Sequence, residues 1–495
     1  MDKYLLEANV RYDGSSKFPS NLQWRTFPSF SAGWRIGEEA FMQWAKPALS
    51  SLKLRGSWGM IGDQTVPNTL YVPTISQGNT NTYAWLDADG NKLIMTGTPA
   101  AIDANITWQD IYTLDFGVDA RFFNGELGVT FDWFQRDTKN MIVPGAGVAP
   151  TFGAGAPKGN FGSLRTKGWE LSIDYNHRFN NGLSVNAMFT LSDALTEITE
   201  YGDTKSIDSW YVGKQYGEIW GYRTDRLYQK DDFVYEGDKL VKTWALNGKE
   251  VAAGTPGAKE VNKLKDPNGI YQDYFQSGTF RFGPGDVKFQ DLNGDGQIND
   301  GSRSIDDHGD VEKIGNTTPR FEYGLRLGAS YKGFDASIFM QGVGNRKLWG
   351  AGFLAIPGFN TGDGAMPQAI AGDYWTEENT NAFYPAACNM GGSNSGYNLQ
   401  KQDRYLLDMA YFRIKNITIG YTLPSELTKK ILINKARIYL ACENFFTFDK
   451  LNGLPIDPEE ISGYSMFNSD NYNSGRTGVG TPTMKNMSVG IQLNF

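Results

Sequence analysis

The residues best equipped for chemistry lie in one acidic stretch. Asp291, Asn293, Asp295 and Gln297 alternate through Asp291-x-Asn293-x-Asp295-Gly296-Gln297-Ile298-Asn299. That spacing sets hard oxygen donors where a calcium loop needs them, with Gly296 for the bend and Ile298 as anchor. Ser302 stands where such a loop carries a bidentate Glu, so Asp300, Asp306 or Asp307 would have to supply that carboxylate. The alternative is a set of Asx side chains bonding their own turn. If calcium binds, its expected role is to stiffen the surrounding loop. Trp210, Trp220, Trp349 and Trp375 stand in long polar connections. They could stack on sugar rings or on a capping partner, or pack loop against loop. For catalysis there is little: His177 and His308 are the two histidines, and neither has a Ser or Cys nucleophile at a signature spacing. Cys388 and Cys442 share no metal-ligand spacing. No enzyme is expected.

The elements that position these residues follow from patterning. The chain has 495 residues, 40% hydrophobic and 14% aromatic, with 58 Gly, 20 Pro and a net charge of −8. No apolar run approaches 18 residues and the mean hydropathy is −0.43, which excludes membrane-spanning helices. Basic residues are scattered among acids, so a nucleic-acid partner is not expected.

The apolar period is two almost everywhere. Tyr4, Leu6, Ala8, Val10 and Tyr12 alternate with mostly polar neighbours, as do Tyr112, Leu114, Phe116, Val118, Ala120 and Phe122. Twelve strands are expected, at 3–13, 24–36, 52–61, 110–122, 126–137, 164–178, 182–193, 320–331, 333–345, 405–423, 435–447 and 484–495. Asn124-Gly125, Asn181-Gly182 and Lys332-Gly333 mark three tight hairpins. The other strand ends carry long connections, 62–109, 138–163, 194–319, 346–404 and 448–483, with brief helices at 38–44 and 424–431 on the short side. Wide apolar faces with few helices to cover them, short turns on one side and long loops on the other form the signature of a membrane barrel. The last strand is the clearest, with Val489, Ile491, Leu493 and Phe495 alternating with polar residues up to an aromatic carboxy-terminus. These four are the candidate outer-membrane assembly signal.

Several blocks resemble the SusC/RagA family of TonB-linked outer-membrane receptors. They are Lys3 to Ser16, Phe27 to Ile36, Leu164 to Glu170, Pro284-Gly285-Asp286-Val287-Lys288-Phe289 before Asp291, and Phe412-Arg413-Ile414-Lys415-Asn416 leading to Gly420-Tyr421. The resemblance spans the chain in the family's order. It implies an all-β fold: a transmembrane antiparallel β-barrel, of which this chain supplies about 12 of an expected 22 strands, with long extracellular loops and short periplasmic turns. It also implies TonB-dependent import of large nutrients, glycans or oligopeptides, across the outer membrane of a Gram-negative bacterium of the Bacteroidota type. The implied partners are a SusD-like surface lipoprotein, the TonB complex and outer-membrane lipids. No signal peptide, TonB-contacting segment or plug is seen before Met1, so residues 1–495 are expected to be the carboxy-terminal part of a longer receptor. A non-transporting barrel or surface adhesion scaffold is the alternative, and a soluble β-sandwich lectin a third.

Overall fold

The computed structural model describes the chain except residues 1, 69, 76, 79–85, 87, 91–94, 146, 277, 279, 351–367, 369–370, 387–396, 429, 431 and 460–482. Cys388 and parts of the 346–404 and 448–483 connections therefore lie outside the described residues.

Twelve long strands form one antiparallel sheet whose hydrogen-bonded order follows chain order. They are β1 (Tyr4–Gly14), β2 (Trp24–Trp34), β3 (Leu49–Asp63), β4 (Gln109–Phe122), β5 (Leu127–Pro144), β6 (Lys158–Arg178), β7 (Ser184–Tyr201), β8 (Arg320–Tyr331), β9 (Phe334–Asn345), β10 (Tyr411–Thr422), β11 (Lys435–Asp449) and β12 (Asn486–Asn494). All twelve expected strands are present. Several run longer than their patterning indicates: β6 has 21 residues and β5 and β7 have 18 each. A tilted strand needs only about 9–11 residues to cross hydrocarbon. The surplus falls at the long-connection ends, where alternation fades because both faces meet water or loop.

One expected strand is corrected. The stretch 405–423 divides: Leu406–Asp408 pairs with Lys347–Trp349 in a separate small sheet, and β10 begins at Tyr411. Tyr405, Leu407 and Met409 alternate like their successors, but they are buried among loop residues. On the short side, Ala40–Ala45 is a 3-10 helix, and a single α-helical turn, α1, spans Ser425–Thr428. Residues 429 and 431 of the expected helix are not described.

The three hairpins close in different ways. Lys332 (φ 48°) and Gly333 (φ 89°) make a two-residue turn between the paired Tyr331 and Phe334. At 179–183, only Gly182 takes a positive φ, and the Asn181 side chain accepts the Leu183 amide at 3.0 Å. The 124–125 turn is widened by a 3-10 turn over Phe123–Gly125.

The contacts divide the chain into two compact units. In the first, the pairings of β1 to β5 keep one register parity except for a shift at Leu49–Ser51 at the start of β3. Tyr4, Leu6 and Ala8 face Trp34, Ala32 and Phe30, and Phe30 faces Trp58, which faces Leu114. Phe116 and Val118 then face Trp133 and Phe131. In the barrel fold this apolar face is the outward one, and it is uncovered: Leu6 is 85% exposed and Val10 68%. A small core of Phe18, Phe27, Met60, Val66, Ile106 and Trp108 closes the long-connection end.

In the second unit, β7 to β12 repeat the arrangement. Phe189 faces Leu325, then Met340, Ile414 and Phe446. Ala187, Leu327, Ile338, Ile417, Cys442 and Met487 form the next row. Leaving such rows in water would forfeit about 25 cal/mol per Å² of apolar surface, and a hydrocarbon surround removes that cost.

Candidate functional site

The polar face of the sheet is built by a recurring device. Arg55 on β3 lies opposite Gly117 on β4, which lies opposite Asp132 on β5. The guanidinium reaches across the glycine to Asp132 at 2.6 Å and also touches Asp119 at 3.2 Å. A Cβ on Gly117 would sit 2.5 Å from the Arg55 Cζ and from Asp132 Oδ1. Arg121 crosses Gly128 to reach Asp174 at 2.6 Å, and Arg437 on β11 crosses Gly420 on β10 to reach Asp335 on β9 at 2.9 Å. A Cβ on Gly128 would lie 2.4 Å from Asp174, and one on Gly420 would lie 2.5 Å from Arg437. Each glycine is a saddle that lets a charge pair span two strand intervals. Nearer the long connections a charge pair also enters the other parity, that of Tyr112 and Leu114: Asp110 is buried, pairs with the half-buried Arg25 and accepts from Asn140 at 2.7 Å. The polar face is thus a charged wall whose pairs are fixed from strand to strand.

The connections of the second unit are not loose loops. Glu218–Tyr222 pairs with Val311–Asn316, and Thr224–Leu227 pairs with Val287–Phe289, so 218–316 is a nested hairpin on a stem. Its tip carries a three-stranded sheet of Lys242–Leu246, Lys249–Val251 and Lys259–Asn262. An aromatic-rich core that includes Tyr222, Phe275, Phe289, Leu348, Tyr405 and Met409 joins this hairpin to segments of the 346–404 and 448–483 connections.

The Pro284-Gly285-Asp286 turn ties three of these segments together. The Asp286 carboxylate accepts the Gly283 amide at 2.7 Å and the Asn398 side chain at 2.6 Å, and the Ala386 amide donates to the Gly285 carbonyl at 2.9 Å. Gly285 has φ +87°, and a Cβ there would strike Trp375 at 2.6 Å. Burial pushes the Asp286 carboxyl up to about 6, against the lowering effect of the Asn398 and Gly283 hydrogen bonds.

A second anchor holds the connection after β11. Arg413, only 5% exposed, donates to Asp457 at 2.6 Å, Glu459 at 2.5 Å and Thr447 at 2.8 Å. Tyr411 and Lys415 also reach Glu459, each at 2.9 Å. Burial alone would raise the Asp457 carboxyl, but hydrogen bonds from Arg413, Thr483 and the Glu459 amide outweigh it and hold the group at about 2.

Of the four tryptophans, Trp220, Trp349 and Trp375 lie in the second unit and Trp210 in the first. Trp349 and Trp375 are each 8% exposed within the loop core, and Trp375 donates to Gln229 at 3.3 Å. Trp220 packs against that core, donates to Glu218 at 2.8 Å and lies beneath Lys313 at 5.7 Å. Trp210, in the first unit, is half-buried beside Tyr216 at 5.5 Å. In this arrangement Trp349 and Trp375 have little ring surface to offer a ligand.

In the acidic loop, Asp291 accepts the amides of Gly294 at 2.7 Å and Gly296 at 2.9 Å. Asn293 accepts that of Asp295 at 2.9 Å, and Asp295 that of Gln297 at 2.7 Å. Asp310 takes the amides of Leu292 and Asn299, both at 2.8 Å. The Asn293 and Asp295 bonds are Asx turns, each reaching the amide two residues on, whereas Asp291 spans three and five residues and Asp310 reaches back from 18 and 11 residues away. Among the described residues, no group of three or more His, Cys, Asp or Glu is arranged to hold a metal. Of the assembly-signal residues, Val489 pairs with Leu440, Ile491 with Ile438 and Leu493 with Ala436 on the outward face, and Phe495 follows 82% exposed.

The sequence reading missed the glycine saddles and the Arg413 and Asp286 anchors as structural devices. Their signal was present in part: at Gly117, a glycine on the polar parity flanked in register by Arg55 and Asp132 is visible once the pairing is fixed, whereas Arg437 reaches over Gly420 diagonally from its place opposite Thr422.

A family model described as "TonB dependent receptor-like, beta-barrel" matches residues 1–445. The chain is 28% identical over 472 residues to the TonB-dependent receptor SusC of Bacteroides thetaiotaomicron, covering 94% of this chain and 40% of that protein. It is 25% identical over 505 residues to TonB-dependent receptor P26 of Formosa agariphila, covering 100% of this chain and 45% of the relative. Among solved structures, the RagAB peptide transporter matches with a TM-score of 0.67 at 20% identity, covering 100% of this chain and 46% of that one. The chain spans less than half the length of these relatives.

Proposed function

The chain belongs to the TonB-dependent receptor-like β-barrel family, and from that premise we propose that it forms part of the wall of an outer-membrane importer of large nutrients, glycans or oligopeptides. The observation that carries this reading is the separation of faces: large apolar rows outward and Arg–Asp pairs inward over consecutive strands. A hydrocarbon surround suits the first face and a wet passage the second. The role is transport, and no catalytic step is assigned to it.

On this reading the loop unit meets the solute and a SusD-like surface lipoprotein, and energy reaches the barrel from the TonB complex. The test is uptake of fluorescently labelled oligopeptide and oligosaccharide pools by cells with and without the receptor, before and after a protonophore. Receptor-dependent uptake of one pool that stops on de-energising the cell supports the proposal. Surface binding unchanged by the protonophore, with nothing entering, would indicate an adhesion scaffold.

A further inference from the structure

At the short-turn end of the second unit, the polar face opens into a concavity of about 520 Å³. Arg178, Lys332, Lys435 and Arg437 line it with Asp335, Ser184, Ser330 and Thr422. Four cationic groups thus share one hollow with a single acid, in a chain whose net charge is −8. That acid is taken: Asp335 pairs with Arg437 at 2.9 Å across the Gly420 saddle. Arg178, Lys332 and Lys435 make no salt bridge among the described residues, and Lys332 lies 5.1 Å over the Tyr331 ring.

Register fixes which solvent the hollow faces. Ser184 pairs with Ser330, Ser330 with Asp335, and Thr422 with Arg437, all on the parity opposite the Leu325 and Leu327 rows. The outward Tyr331 and Phe334 form its rim. Arg178, Lys332 and Lys435 are exposed at this hollow, and like charges gathered on one surface repel, the more so at low salt. A multivalent oxyanion relieves it, and guanidinium and ammonium donors suit such a ligand.

We propose that this hollow is a binding site for a water-borne multivalent oxyanion of the phosphate class, held by Arg178, Lys332 and Lys435 with Arg437 fixed behind them. Ser184, Ser330, Asp335, Thr422 and Arg437 lie on the polar parity, so the source assigned is the water on that face and not a lipid headgroup beyond the Tyr331 and Phe334 rim. Binding needs no transport, so it is measured independently of the importer reading.

The test is calorimetric titration of inorganic pyrophosphate into the protein in phosphatidylcholine nanodiscs. The expected result is saturable binding that weakens with added salt. Affinity should fall about tenfold or more in a triple variant, Arg178→Ala with Lys332→Ala and Lys435→Ala, as expected for lost charge-assisted contacts. Arg326→Ala, on the same face outside the hollow, should leave affinity unchanged, and heat-modifiable gel mobility should show each variant folded. Absence of saturable binding in the wild type, or an equal loss in Arg326→Ala, would overturn the site. Weaker pyrophosphate binding in phosphatidylglycerol nanodiscs would show a competing headgroup and overturn the water-borne assignment.

Discussion

At the scale of single residues, space and charge are decided together at the saddles. Gly420 leaves no room for a methyl group beside Arg437 Nη2, so Gly420→Val must displace the Arg437–Asp335 pair. Overpacking and a broken pair together cost about 1–4 kcal/mol. The urea midpoint of the reconstituted protein should fall accordingly, while Gly490→Ala tests whether any polar-face glycine behaves the same way. Asp286 gives a signed pH effect. Its folded-state value, about 6, lies above the ordinary carboxylate value, so the folded chain holds the proton longer than the unfolded one. Stability from this group is full below about pH 4 and is lost as pH rises towards 6. Between pH 4 and 7 the wild type should lose about 1–3 kcal/mol relative to Asp286→Asn, read as diverging thermal unfolding profiles. Parallel profiles would mean that Asp286 does not change protonation in that range. Asp457 does not confuse the result. Its value near 2 is depressed, so its contribution disappears only as pH falls below the usual carboxylate range.

At the scale of elements, the twelve strands were legible because a two-residue period records two different solvents, and that record survives without any knowledge of partners. It fails where one side of the pattern has another cause. Tyr405, Leu407 and Met409 alternate because a loop core covers them, and Leu325 and Leu327 because the outward face surrounds them. Composition does not distinguish these cases. The short strands of the 218–316 hairpin left no trace because segments of two to six residues are too short for a period to emerge, and their order comes from packing around Phe275 and Phe289. The terminal strand lends itself to a direct comparison of faces. Ile491→Arg places a charge on the outward row, at a cost of about 2–4 kcal/mol near a bilayer midplane and less towards the interface. Gln492→Arg enters the polar row opposite Arg437 and should cost less. Membrane assembly assayed by protease protection should drop for the first and largely persist for the second. Equal loss would indicate that sequence recognition, not face, governs this strand.

At the scale of the whole molecule, fold class was readable because a dozen weak patterns agree, whereas the candidate site was only partly so. The acidic loop and the tryptophans stood out by residue type, yet their contacts depend on segments distant in sequence: Trp375 meets Gln229, and Asp286 meets Asn398. No local pattern encodes those meetings. The central claim is that successive side chains along each long strand meet hydrocarbon and water in turn. It is tested most directly by single-cysteine spin labels along β8, residues 323 to 330, in a background with both native cysteines replaced by serine and the protein in lipid bilayers. The account predicts oxygen-favoured collisions at 325, 327 and 329 and accessibility to a water-soluble nickel complex at 324, 326, 328 and 330. A profile without period two, or one with the water-accessible sites on the Leu325 and Leu327 parity, would contradict it.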